Sequence, residues 1–115
     1  MEEEGILNQI FENYIYFIGD KDFGTWENEK IEERTKKFVD FYLDKFGSEG
    51  FQELKAEFRV MNKEGLQKEY EIKILFVTDK GSYHTEKTGW NAYNVFRDSI
   101  EAIENQVFKN REDYK

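Results

Sequence analysis

Residues 53–76 read ELKAEFRVMNKEGLQKEYEIKILF, and the fold turns on the period of this stretch. Leu54, Ala56, Phe58 and Val60 alternate with Glu53, Lys55, Glu57 and Arg59. After Asn62, Lys63, Glu64 and Gly65 the alternation resumes, with Tyr70, Ile72, Ile74 and Phe76 set against Glu69, Glu71, Lys73 and Leu75. A period of two puts every apolar member on one side of an extended chain, so each run predicts a strand buried on one face and wet on the other. The polar and flexible residues between the runs are turn chemistry, which predicts a hairpin.

Outward from this hairpin the period changes to that of a helix on both sides. Residues 26–46 carry Ile31, Phe38, Tyr42 and Phe46 as an inward stripe, with Thr35 and Val39 at its margin. Thr25 is the predicted N-cap, Glu27 and Glu29 sit near the positive end of the helix dipole, and Gly47 is the stop. On the other side Asp79, Lys80 and Gly81 predict a tight turn into a short strand over residues 82–87, with Tyr83 and Thr85 on one face and Ser82, His84 and Glu86 on the other. Gly89 breaks it. A last helix from about residue 91 to residue 108 or beyond has Tyr93, Phe96, Ile100, Ile103 and Val107 at spacings of three and four. Residues 14–18, YIYFI, ending at Gly19 and Asp20, predict a first strand, followed by a loop over residues 20–24. Residues 1–13 place Ile6, Leu7, Ile10 and Phe11 at helical spacing, a short helix that must dock to persist. The expected architecture is α+β with order β-α-β-β-β-α: a four-stranded sheet with two long helices on one face, and an extra N-terminal helix before it.

Composition bounds the function. At 115 residues with eleven Phe and seven Tyr the chain can build one compact core. No apolar run reaches 18 residues and residues 2–4 are all glutamate, so the expectation is a soluble protein of the cytoplasm. Without cysteine, and with His84 as the lone histidine, neither a thiolate nor a histidine metal cluster can form, and no cofactor is expected. The carboxylates are scattered over helix and strand faces, and no glycine-rich phosphate loop occurs. The expectation is therefore a protein that is not an enzyme, and a small hydrolase-like or ligand-binding enzyme ranks last. A formal net charge of −8 opposes phosphate binding, but six acids against one lysine lie in residues 1–25, which leaves the remainder nearly balanced.

The element order, the first strand ending in glycine, the charged helix after it, and above all residues 80–113, KGSYHTEKTGWNAYNVFRDSIEAIENQVFKNRED, resemble the ribosome hibernation promoting (ribosome-associated translation inhibitor) family, in its short single-domain form. The matching positions are Tyr93, Phe96, Ile100, Ile103, Gln106, Lys109 and Arg111. The resemblance implies a fold related in shape to double-stranded-RNA-binding domains over residues 14–115, with residues 1–13 as an acidic extension. It also implies a stress-response function: occupation of the decoding channel of the small ribosomal subunit, which regulates translation without chemistry. Cations would meet rRNA phosphates there. Lys109 and Arg111 are the matched basic positions; Lys30, Arg34 and Lys37, at i, i+4 and i+7, form a stripe beside the apolar face of the first long helix, with Lys36 next to it. The same stripe also reads as a solvated face pairing locally with Glu27 and Glu33. Tyr14, Tyr16 and Tyr83 are the candidates for exposed aromatics that could stack on bases. A second function class stays open: a protein-interaction or self-associating module, acting through the acidic N-terminus or a sheet edge, without ribosome binding.

Overall fold

The structure is a computed structural model that describes residues 2–19, 25–62 and 68–112, with side chains described for residues 5, 9–19, 27–61 and 68–108. Seven elements follow in order: α1 (Glu2–Tyr14), β1 (Ile15–Ile18), α2 (Thr25–Phe46), β2 (Phe51–Asn62), β3 (Lys68–Thr78), β4 (Gly81–Gly89) and α3 (Ala92–Glu112). The strands form one mixed sheet in the order β1-β2-β3-β4, with β1 parallel to β2 and the other pairs antiparallel. This is the expected α+β fold.

The alternating phase sets the packing. Leu54, Ala56 and Phe58 on β2, Ile72, Ile74 and Phe76 on β3, and Thr85 on β4 are buried, while their alternates are more accessible. The helices meet the buried face. Phe38 and Tyr42 of α2 set their rings edge-on to Phe76, with centroids 5.2 and 5.3 Å apart, and Phe96 of α3 stacks on Phe58 at 5.9 Å. A bulge between Phe51 and Glu53 adds one residue to β2, so that Phe51 and Leu54 both turn inward in spite of their odd spacing. α2 stops at Gly47, the stop the sequence predicts; the glycine takes φ of 75° and donates its N–H to the Leu43 carbonyl at 2.9 Å, a left-handed cap. Asn91 caps α3, its Oδ1 accepting the Asn94 N–H at 3.0 Å.

Several boundaries and phases differ from expectation. Tyr14 ends α1 and does not begin β1; Thr25 is already helical; and β4 runs through Gly89. Thr35 and Val39 are not marginal. Both are fully buried, whereas Phe46 is only partly so, because the seam with α3 widens the apolar face of α2. α1 docks by Ile10, which joins the core, and by Phe11, whose ring lies 6.1 Å from that of Phe17. Ile6, the Thr25 side chain, the loop over residues 20–24 and the turn between β2 and β3 lie outside the described residues.

Candidate nucleic-acid interface

The cations of α2 do not stand out from the fold as one stripe. Successive residues at i, i+4 and i+7 follow the helix along the flank that meets α3, and the first two are engaged there. Lys30 sets its ammonium over the Tyr93 ring, 5.5 Å from the centroid. Arg34 Nη2 donates to Glu104 Oε1 at 2.5 Å, and the pair is mostly buried, with 13% and 23% of the two side chains exposed. The other terminal nitrogen of Arg34, Nη1, is buried without a hydrogen-bond partner among the described residues. Arg34 is therefore a tie between the long helices, and its charge is already met by a carboxylate.

Lys36 lies on the flank toward α1. Its Nζ is 3.3 Å from Glu32 Oε1, one turn back, and 5.4 Å from the centroid of the Phe11 ring. Lys37 is exposed and borders a groove of about 510 Å³ with Asp40, Phe41, Leu43, Asp44, Gly47 and Ser48. Lys109 and Arg111 fall within α3, so their backbone is helical, but their side chains lie outside those described. Of the aromatic candidates, Tyr14 and Tyr16 are exposed, while Tyr83 is half-buried and stacks on Phe76 at 6.1 Å, because it shares the inward phase of β4 with Thr85.

Phe41 belongs to none of the periodic patterns of α2. It is out of phase with the stripe and 47% exposed, set edge-on to Phe108 at 4.9 Å. Lys45 Nζ lies 5.4 Å from the Phe41 centroid and 5.6 Å from that of Phe108. A phenylalanine at a polar position of an amphipathic helix was the available signal. Among the described residues no group of His, Asp and Glu could hold a metal ion, and no helix is long and apolar enough to cross a membrane.

The fold defines the class: a single mixed sheet of four strands carrying its long helices on one face. Among solved structures, that of the N-terminal domain of Protein Y from Thermus thermophilus is similar to this chain at 18% sequence identity and a TM-score of 0.50, over 82% of this chain and 92% of that one. At that identity the likeness is one of fold. No family model matches the sequence, and no curated protein matches it either.

Proposed function

We propose that residues 14–115 form a ribosome-binding domain of the hibernation type, which would regulate translation in the cytoplasm by occupying the decoding channel of the small subunit. The observation that carries this reading is the fold shared with the Protein Y N-terminal domain over 92% of that chain, in a sequence whose terminal-helix pattern independently resembles the hibernation family. Contact with rRNA falls to Lys109 and Arg111, supported by Lys30, Lys36 and Lys37; Arg34 acts from behind them by holding α2 to α3. The acidic segment over residues 1–13 is an extension outside the RNA surface, since three successive glutamates repel phosphate. The test is co-sedimentation of the purified chain with small ribosomal subunits at low and moderate salt. Binding that falls as salt rises supports the reading, and no binding even at low salt overturns it.

The alternative is an interaction module on the same fold that does not bind ribosomes. It is favoured by one observation: the middle cation of the α2 stripe is paired with Glu104, in a chain of net charge −8.

A further inference from the structure

The two edges of the sheet are unequal. β1 is four residues long, and short edges resist pairing; β4, Gly81–Gly89, runs nine residues at the other edge. In an antiparallel ladder successive residues turn their N–H and C=O alternately toward and away from the neighbouring strand. The direction is fixed here by Gln106, whose Nε2 donates to the His84 carbonyl at 3.3 Å from outside the sheet. His84 therefore points its backbone away from β3, and Ser82, Glu86 and Thr88 do the same. Among the described residues no strand pairs with this row, and Gln106 is its side-chain contact.

We propose that β4 is a self-pairing edge, joining two copies of this chain through antiparallel β4 strands related by a two-fold axis at Thr85. In that register the outward-pointing residues meet each other: His84 faces Glu86 of the second copy, and Ser82 faces Thr88. Both pairs occur twice. The residues between them place Lys87 opposite Tyr83 of the second copy and Thr85 opposite itself. Moving the axis to His84 would set the two imidazoles together, and moving it to Glu86 would set two carboxylates together, so side-chain chemistry selects the register centred on Thr85. α3 packs over both β3 and β4, so a two-fold axis at Thr85 sets the two copies of α3 side by side on the same face of the joined sheet. One turn before Gln106 on α3 stands the small, half-buried side chain of Ala102.

Gln106 holds the His84 carbonyl in the single chain, and among the described residues the rest of this row meets no other side chain. The inference gives the interaction-module reading a surface and an occupant. It does not depend on ribosome binding, and co-sedimentation does not bear on it.

The experiment is sedimentation equilibrium of the full chain from about 1 μM to 1 mM, the range in which a modest interface is read. A concentration-dependent dimer is expected. Glu86→Pro removes an outward N–H without touching the β3 ladder and should leave a folded monomer. Glu86→Lys should raise the dimer Kd about tenfold, because the His84 imidazole loses its carboxylate partner in both pairs. The double variant His84→Glu with Glu86→Lys should restore it to within about threefold, and Gln106→Ala should tighten it. Glu86 also faces Lys73 across the β3–β4 pair, so thermal melting of each variant separates lost pairing from lost fold. A monomer at every concentration overturns the proposal, as does a dimer indifferent to both Glu86 variants.

Discussion

Arg34 shows how a residue's surroundings decide what its charge can do. On a helical wheel it is the middle of a basic stripe, but in the fold its guanidinium meets Glu104, a residue 70 positions away. Periodicity reports which flank of a helix a residue occupies and says nothing about what lies across that flank. Arg34→Ala or Glu104→Ala should lower stability in urea by about 1.5–3 kcal/mol, since each leaves a mostly buried charged group without its partner. A double-mutant cycle that returned no coupling would reject the tie. Thr35 and Ser99 make the same point for neutral groups. Both are fully buried, and each hydroxyl donates to the carbonyl four residues back, Ile31 at 2.8 Å and Val95 at 2.7 Å, so a polar residue sits in the core with its hydrogen bond satisfied. The large apolar positions were legible directly. Phe58 and Phe96 each belong to the apolar phase of their element and stack on one another, and Phe58→Ala or Phe96→Ala should cost about 3–5 kcal/mol. A loss under about 1 kcal/mol at both would contradict the packing described, given what such truncations cost in cores.

At the scale of elements, legibility follows period. β2, β3 and both long helices announced themselves because each repeats its pattern several times, whereas β1 has four residues and its parallel pairing with β2 depends on contacts that no local pattern encodes. The bulge at Phe51 was hidden for a related reason: it breaks the alternation it belongs to. The end of β1 is nonetheless tightly specified. Gly19 takes φ of 85°, and a Cβ placed there would run into the Phe58 carbonyl oxygen on β2. Gly19→Ala should therefore destabilise by at least about 1–3 kcal/mol, the cost of a strained backbone before the clash is added. Equilibrium unfolding measures it, and an unchanged midpoint would mean that the strand end is not held as described. α1 is joined to the body, among its described side chains, by Ile10 and Phe11. Deleting residues 1–12 removes Ile10 and Phe11 and uncovers Phe17 and Lys36, so stability should fall by about 2–3 kcal/mol. Any affinity for ribosomal subunits should hold or increase as Lys36 loses its contact with Phe11 and the glutamates depart. Weaker co-sedimentation of the truncated chain would point instead to α1 as a contact surface.

At the scale of the whole molecule, the question is whether a chain of net charge −8 can present a usable positive surface. The fold answers part of it by taking Arg34 out of the exposed set and setting Lys36 against Glu32, while Lys37 stays exposed beside Asp40 and Asp44. Fewer free cations mean fewer counterions displaced on binding, so any affinity for small ribosomal subunits should depend on salt less steeply than a six-cation surface would require. Each phosphate contact contributes about 0.7–0.9 to the slope of log affinity against log salt, and removing two contacts should flatten it by roughly 1.5. Under the proposed function, charge reversal of Lys109 and Arg111 to Glu should abolish co-sedimentation with small ribosomal subunits with little change in melting temperature, whereas reversal of Lys68 or Lys73 should matter less. Reversal of Arg34 is not a clean test of RNA contact: it sets a carboxylate against Glu104, so any lost binding there would accompany lost stability. The informative comparison is Lys109 and Arg111 against Lys68 and Lys73 in proteins that melt alike. Equal losses from both pairs would mean that binding follows total charge and not a surface at the end of α3.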